Sequence, residues 1–423
     1  MLLVRVFVPF VFGFYLSYLY RVINALIAPH LMSELHIDAS GLGLMTSAYF
    51  LTFGACQLPV GALLDRFGPR RVQSALMLVA ALGAFVFAFG TSSWVLIAGR
   101  GLIGIGVSAA WVGGLKATAT WFPKERLSLV NGWMMALGSL GAVTATGPAD
   151  MIVHLIGWRG LFVALGALSV LTAGIVFATV PEATRTTASV SAGPSVRLRD
   201  ICRDRDFLRI APLWACAIGT AWAVQGLWAA RWLADVDGYD QHTIVAHLFV
   251  MACTLSAGGI VLGNLAHRLR QHGISTETVF ASSIAVFMGI QALIVARAPL
   301  PSYVLWGMSA VFGSLTALGF AIMSEVYPKE IIGRANSVIG VLQIAAGFFF
   351  QWIMGSLIAL WRPNAAGHYP AIAYEVAFAF PLVLQGLAMS WFLWATMERR
   401  VAQHRSLRHP GDLRPETPRR ILG

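Results

Sequence analysis

The chain has 423 residues, of which 57% are hydrophobic and 12% are charged, and its mean hydropathy is +0.72. A soluble protein of this length could not bury that much apolar surface, so we expect lipid to surround it. The net charge of +11 comes from basic residues dispersed among short loops and a tail, which favours membrane orientation over nucleic-acid binding. The sequence contains no Walker loop, nucleophile elbow, HExxH or paired-cysteine zinc motif, and therefore predicts no enzyme, cofactor or metal site.

Twelve apolar segments are long enough to cross a bilayer as helices, which takes about 20 residues each. The predicted spans 1 to 12 are 6–29, 40–63, 73–91, 94–121, 127–155, 158–180, 207–235, 243–267, 274–297, 302–327, 331–360 and 371–396. They predict a bundle over 1–180, a polar cytoplasmic linker over 181–206, a second bundle over 207–397 and a basic, disordered cytoplasmic tail over 398–423. With both termini inside, most of the 30 Lys and Arg residues face the cytoplasm, as expected for a multi-pass protein of a bacterial inner membrane.

Predicted span 1 carries two polar side chains, Arg21 and Asn24, in the segment Tyr18–Pro29. Because charge is costly in lipid, an arginine inside a span indicates a functional site. A guanidinium presents a planar fork of donors that suits an oxyanion. We therefore expect Arg21 to contact an anionic substrate; the alternatives are an ion pair within the protein and snorkelling to the membrane surface.

The loop between predicted spans 2 and 3 reads GALLDRFGPRR over residues 61–71. Its glycines allow a tight turn, and its acidic and basic residues can form ion pairs that differ between conformations. The loop resembles the signature loop of the major facilitator superfamily at nearly every position. The resemblance implies an all-α membrane protein with twelve transmembrane helices in two pseudo-symmetric six-helix bundles. In that family the loop latches the outward-facing state, so the predicted gating residues are Gly61, Asp65, Arg66, Gly68, Arg70 and Arg71. For Arg70 and Arg71, a purely topological role is an equal alternative.

Predicted span 4 contains the segment Gly99–Gly106, which is similar to the fourth-helix motif of the same family with its buried arginine. The glycines of this segment permit close helix packing. An unpaired guanidinium at this depth is costly, so Arg100 must find carbonyls, a carboxylate or a wet cavity. We expect Arg100 to act in coupling or to hold the cavity wall; snorkelling to the outer interface is the alternative.

The segment Tyr18–Pro29 is similar to the first helix of the organophosphate and organic-anion branch of the family, which includes sugar-phosphate permeases. Sugar-phosphate antiporters have a lysine on helix 2, a histidine on helix 5 and a second arginine on helix 7. This chain has Gln57, small or apolar residues around Leu137, and Gln225 there. A dianionic phosphate would lack its second cation, which favours a monoanionic or amphipathic organic acid. The predicted substrate-binding residues are Arg21, Asn24, Gln57, Trp222 and Gln225.

Predicted span 7 places Trp222, Gln225 and Trp232 on one helical face, with an amide inside an aromatic surface. If this face lines the cavity, it favours a substrate with ring or alkyl parts. Tryptophans at span ends more often form an interfacial belt, which is the favoured interpretation for Trp214 and Trp232, with cavity lining as the alternative. The deeper Trp222 and Gln225 are the stronger candidates for substrate contact.

An internal repeat supports the prediction of two related halves. The segment Trp121–Glu125, followed by Asn131, recurs half a chain later as Val326–Glu330, followed by Asn336. Both copies lie in loops on the cytoplasmic side of the predicted topology. This is the arrangement expected of parallel repeats about an axis along the membrane normal.

The ionisable groups within the predicted spans are few. Lys116, Asp150 and Glu325 join Arg100 as candidate coupling or cavity-wall residues, and His247 is a further titratable group. The sequence thus predicts a monomeric secondary transporter that moves a small organic anion across the bilayer by alternating access, through proton symport or exchange. Proton-coupled efflux of amphipathic drugs or siderophores is one alternative, and a transporter-like ligand sensor is another.

Overall fold

The computed structural model describes residues 3–123, 126–182, 198–313, 319, 322–323, 325–327, 331–364 and 367–408. The repeated motif at 124–125 and 328–330, most of the predicted linker and residues 409–423 of the predicted tail lie outside the described residues. The helices are α1 Val8–Val22, α2 Asn24–Leu35, α3 Ala39–Phe89, α4 Ser93–Val107, α5 Ala110–Trp121, α6 Leu127–Thr144, α7 Gly147–Thr179, α8 Leu198–Arg203, α9 Arg205–Ala223, α10 Ala229–Asp235, α11 Gln241–Gln271, α12 Thr276–Val295, α13 Ser302–Gly313, α14 Ile332–Ile358 and α15 Ala371–Arg408. Two π-helical segments, Leu3–Phe7 and Val224–Trp228, precede α1 and join α9 to α10.

Within the described residues, nine helical segments are long and apolar enough to cross a membrane. Two shorter apolar helices, Leu129–Thr144 and Ser302–Phe312, correspond to predicted spans 5 and 10. The first part of α3, which begins at Ala39, corresponds to predicted span 2. We call "outer" the span ends that the predicted orientation places outside the cell, and "inner" the opposite ends.

Two glycines divide long helices into separate spans. Gly68 has φ 78° inside α3 and separates predicted spans 2 and 3, and Gly157 has φ 72° inside α7 and separates predicted spans 5 and 6. A left-handed backbone strains residues that carry a Cβ, so glycine suits these two turns. The tight turn predicted for the loop at 61–71 is therefore a single non-helical residue.

Two segments are more ordered than the sequence indicated. The last helix continues to Arg408, so residues 398–408 of the predicted disordered tail are helical. This stretch contains no Gly or Pro and is rich in helix-forming Glu, Arg, Gln, Ala and Leu, whereas the prolines of the tail come later. In the predicted linker, α8 packs its buried Ile201 against Phe207 and its neighbours. The linker boundaries stay a prediction.

Helices α1 to α7 pack together as one bundle and α9 to α15 as the other, and α3 packs against α14 across the boundary between them. Small residues allow the closest approaches. A Cβ built on Gly106 of α4 would lie 2.2 Å from the backbone nitrogen of Ala80 on α3, and one on Gly104 would lie 2.4 Å from the Tyr49 carbonyl oxygen. Helix packing in lipid relies on such contacts, because apolar side chains gain little by leaving the lipid.

Gly106→Ala should destabilise the protein by about 1–3 kcal/mol, because the new methyl group would push α3 and α4 apart. The measurement is the apparent melting temperature of the purified protein in detergent. Gly174→Ala is the matched control, since nothing lies within 4 Å of a Cβ built on Gly174. Equal melting temperatures for the two variants would contradict the close packing of α3 and α4.

Candidate functional site

Arg21 lies where the two bundles meet. Its guanidinium carbon is 4.7 Å from the ring centroid of Tyr18 in α1 and 4.8 Å from that of Trp222 in α9 of the other bundle. Aromatic faces attract cations over such distances. We call Arg21, Tyr18 and Trp222 the aromatic clamp. The structure thus brings together two of the residues predicted to bind substrate, one from each bundle.

The aromatic clamp is supported by residues of α3 and α14. Phe50 of α3 stacks on Trp222, with 5.5 Å between ring centroids and 24° between ring planes. A Cβ built on Gly347 of α14 would lie 3.0 Å from the Trp222 ring, so a larger residue at this position would crowd the indole. The Nε atom of Arg21 is buried and has no hydrogen-bond partner among the described residues. The clamp therefore holds a positive charge that retains a free donor.

Asn24 and Gln225 lie close to the clamp in sequence but have different surroundings. Asn24 is fully buried and donates from Nδ2 to Thr46 Oγ1 at 2.9 Å, while its Oδ1 has no partner among the described residues. Gln225 belongs to the π-helical segment Val224–Trp228 and lines a cavity of about 30 Å³ shared by both bundles. The other lining residues are Val22, Ala25, Ala142, Ala145, Thr146, Leu248, Met251, Ala252 and Leu255. The cavity wall is thus mainly apolar, with one amide and one hydroxyl.

Gln57 has a partner within the first bundle. Its Nε2 donates to the Ser108 carbonyl oxygen at 3.4 Å. This contact ties α3 to the bend between α4 and α5, and it does not join Gln57 to the aromatic clamp. A substrate-binding role for Gln57 stays a prediction.

Arg100 is completely buried within the first bundle. Its Nη1 donates to the Tyr20 carbonyl oxygen at 2.8 Å, and its guanidinium carbon lies 5.1 Å from the ring centroid of Tyr49. Nε and Nη2 have no hydrogen-bond partner among the described residues. The snorkelling alternative for Arg100 is wrong, because the side chain points into the bundle, where it finds a carbonyl and a ring.

The predicted gating residues Asp65, Arg70 and Arg71 have partners in the first bundle or at the start of the predicted linker. Asp65 forms an ion pair with Lys116, and Arg71 forms one with Glu182. Arg70 donates from Nε to the Phe177 carbonyl oxygen at 2.8 Å. Lys116, which was predicted as a coupling or cavity-wall residue, thus lies beside the signature loop. The other predicted gating side chain, Arg66, lies over the ring of Phe67, its neighbour in the chain.

The remaining titratable candidates lie in or against the second bundle. Glu325 pairs with Arg270 at 3.0 Å and accepts from Thr276 Oγ1 at 2.7 Å. His247 approaches Ser302 Oγ at 3.1 Å and stacks on Tyr303. These contacts join neighbouring helices of one bundle.

Hydrogen bonds between the bundles lie at the outer ends and near the middle of the spans. Asp150 accepts from Gln241 Nε2 at 3.2 Å, and the hydroxyl oxygen of Tyr369 accepts from the Ala39 amide at 3.1 Å. A third bond, of 3.3 Å, runs from Ser256 Oγ to Ser139 Oγ. The structure thus places Asp150, a predicted coupling residue, in a contact between bundles.

Sequence reasoning missed the acid that supports this outer contact. Asp235 is buried and accepts hydrogen bonds from Arg231, His368 and Tyr374, beside Tyr369. The four-residue spacing of Arg231 and Asp235 on a helix was the readable signal. Trp214 and Trp232 are also buried inside the protein, so the interfacial-belt interpretation is wrong for both.

Two bundles of membrane-crossing helices pack through α3 and α14, with the half-buried Arg21 at their boundary. A comparison with known families agrees with this architecture. The model described as Major Facilitator Superfamily matches residues 10–350. The chain belongs to this superfamily. The predicted fold class, with its two pseudo-symmetric bundles, is confirmed, and so is the prediction of a transporter that is not an enzyme.

Curated relatives of this major facilitator include transporters of organic acids. The hexuronate transporter of Escherichia coli (strain K12) is 24% identical over 373 residues, which cover 82% of this chain and 85% of that protein. The probable sulfoacetate transporter SauU of Cupriavidus necator is 30% identical over 156 residues, but this match covers only 37% of this chain and 36% of that protein. The predicted resemblance to the organic-anion branch is confirmed.

A solved structure shows the same fold. The bacterial homolog to the human lysosomal transporter Spinster, in an inward-facing and occupied conformation, superposes with a TM-score of 0.75 at 16% identity. The match covers 93% of this chain and 96% of that chain. Membership of the superfamily makes this chain a multi-pass membrane protein with a small-molecule substrate.

Tyr369→Phe should make the outer ends of the bundles separate more readily, because the Ala39 amide loses its acceptor while the ends are closed. A lost hydrogen bond of about 1 kcal/mol would raise the separated fraction several-fold. The measurement is the distance between spin labels on the outer loops of the two bundles, in nanodiscs. Tyr303→Phe is the control, and an unchanged distance distribution for Tyr369→Phe would contradict this role.

Proposed function

We propose that this chain is a secondary transporter that moves a small organic anion of the sugar-acid class across a bacterial inner membrane by alternating access. The observation that carries the proposal is the aromatic clamp, in which Arg21 lies between Tyr18 of one bundle and Trp222 of the other. The protein would act as a monomer with both termini in the cytoplasm.

The chemistry of the clamp favours an anion. Arg21 keeps a buried, unpartnered Nε, and its described contacts are aromatic faces, which satisfy a guanidinium less completely than an oxyanion does. Within the clamp, Arg21 is the one cation among the described residues, so a single carboxylate matches its charge. Because the guanidinium touches both bundles, an anion bound to it would influence how they close.

The relatives support the choice of substrate class. The hexuronate transporter named above shares most of its length with this chain, and hexuronates combine one carboxylate with several hydroxyls. Asn24 and Gln225 lie on the same helical stretches as Arg21 and Trp222 and carry amides suited to hydroxyl groups. A clamp for the carboxylate with amides nearby therefore fits a sugar acid.

The contacts between bundles support a cycle of alternating access. In this structure the outer ends are joined through Asp150 and Gln241 and through Ala39 and Tyr369. The signature-loop residue Asp65 is paired with Lys116 inside its own bundle, and among the described residues it has no contact with the other bundle. We assign this arrangement to the inward-facing half of the cycle, in which Asp65 and its neighbours are released from gating contacts.

Arg21→Ala should lower the affinity for D-galacturonate by at least about tenfold, because a charge-assisted pair of this kind contributes roughly 1.5–3 kcal/mol. Arg21→Lys should recover only part of the affinity, since lysine keeps the charge but loses the planar fork. The measurement is calorimetric titration of the purified protein, together with counterflow in proteoliposomes.

Arg5→Gln is the matched control for these variants, since it removes a positive charge from an exposed residue just before the same predicted span. It should bind D-galacturonate like the wild type. Full binding by Arg21→Ala would remove Arg21 from the site.

Asp150→Asn should abolish proton-driven accumulation of the acid and leave counterflow intact, if Asp150 carries the coupling proton. A protonated carboxyl is a weaker acceptor for Gln241 than a carboxylate, so protonation would loosen this contact between bundles. The measurement is uptake into proteoliposomes with and without an inward proton gradient.

Glu34→Gln is the control for coupling. Hydrogen bonds from Arg159 and Trp158 hold the pKa of Glu34 below its ordinary value, so this acid stays ionised near neutral pH. Accumulation that is independent of the proton gradient in the wild type would point to exchange instead of symport.

A further inference from the structure

Gln351 of α14 is fully buried, yet neither atom of its side-chain amide has a hydrogen-bond partner among the described residues. Gln385 of α15 is equally buried, but its amide bonds to Gln291 and Thr220 within the second bundle. Buried amides are normally paired, because an unpaired group loses its hydration without compensation. Among the described residues, Gln73 of α3 is the other glutamine with both amide atoms buried and unpaired, but Gln351 belongs to α14, which packs against the other bundle.

The amide of Gln351 faces Gly226 of the neighbouring helical segment. A Cβ built on Gly226 would lie 3.4 Å from Gln351 Oε1, so the amide oxygen lies beside this glycine. Gly226 lies in the π-helical segment Val224–Trp228, and π-helical turns often occur at functional sites. The backbone of Gln351 is fixed, because its carbonyl oxygen accepts from the Trp228 indole at 3.2 Å.

The position of Gln351 relative to the aromatic clamp follows from α14. Gly347 touches the Trp222 ring, and Gln351 comes one helical turn later, about 6 Å further toward the outer side. Asn24 follows Arg21, and Gln225 follows Trp222, by three residues in the same direction, or about 4.5 Å. Three amides thus lie one turn beyond the guanidinium, on helices of both bundles.

We propose that Gln351 binds hydroxyl groups of the organic acid whose carboxylate binds Arg21, and that it sets the preference for hydroxylated acids. This inference rests on the proposed function and extends it to a residue of α14. An amide offers two donors and two acceptor lone pairs, and a hydroxyl can donate and accept, so neighbouring hydroxyls can pair with both atoms of the amide. An acid without hydroxyls would leave the amide unpaired and would bind less well.

The test compares two ring acids that differ only in their hydroxyls. D-galacturonate carries them, and tetrahydropyran-2-carboxylate has the same ring and carboxylate without them. Both are titrated calorimetrically into the purified full-length protein. The wild type should prefer D-galacturonate, and Gln351→Leu should reduce this preference about tenfold by weakening D-galacturonate binding alone.

Gln385→Leu is the matched control, since it replaces a buried glutamine whose amide is already paired. It should keep the wild-type preference even if its melting temperature falls. Gln351→Asn keeps an amide on a side chain that is shorter by one methylene. Its preference for D-galacturonate should lie between those of the wild type and Gln351→Leu. This variant serves as the test if Gln351→Leu does not fold.

The outcomes separate the two proposals. An unchanged preference in the Gln351 variants, with binding otherwise intact, would overturn the inference and leave the proposed function standing; a trapped water would then be the partner of the amide. If the wild type bound neither acid, the proposed function itself would fail, and the inference with it.

Discussion

A guanidinium buried in a helix bundle must find partners for its charge, and the two deep arginines of the first bundle meet this requirement differently. Arg100 donates to the Tyr20 carbonyl oxygen and lies over Tyr49, all within one bundle. Its environment therefore stays the same when the bundles move as units. Arg21 depends on Trp222 of the other bundle, so its environment changes with every relative movement. The contacts of Arg100 thus stay inside one bundle, whereas those of Arg21 join the two bundles.

The boundary between the bundles is close but carries few hydrogen bonds among the described residues. A Cβ on Gly43 of α3 would lie 2.9 Å from the Gln351 carbonyl oxygen, and one on Gly355 of α14 would lie 2.6 Å from the Ala39 carbonyl oxygen. Backbones this close gain dispersion energy without strong directional bonds. An interface of this kind can part and reform at modest cost, and the few polar contacts near its outer end can bias which state is populated.

The sequence predicted the parts of the fold that depend on local pattern. Apolar length located the spans, and the glycines of the loop at 61–71 indicated the turn that is found at Gly68, because only short-range properties are involved. The sequence could not predict that Lys116 would pair with Asp65, since that contact depends on how two helices pack. The sequence did not indicate that the amide of Gln351 would be unpaired. Gln351 and Gln385 are both glutamines in apolar helices, and only their neighbours in the structure distinguish the unpaired amide from the paired one.

The selectivity of the proposed site would follow from what each side chain can offer. Arg21 would distinguish anions from neutral molecules by charge, but a guanidinium between two rings can accept many carboxylates. Amides carry no net charge and add little attraction for an ion, yet they penalise a ligand that leaves them unpaired. Because Asn24 lies in the first bundle and Gln225 and Gln351 lie in the second, a ligand that pairs with all three stabilises the arrangement in which the bundles are together. A molecule with a carboxylate but no hydroxyls would occupy the clamp without that effect, so in the proposed cycle the recognition of hydroxyls and the closure of the bundles would be one event.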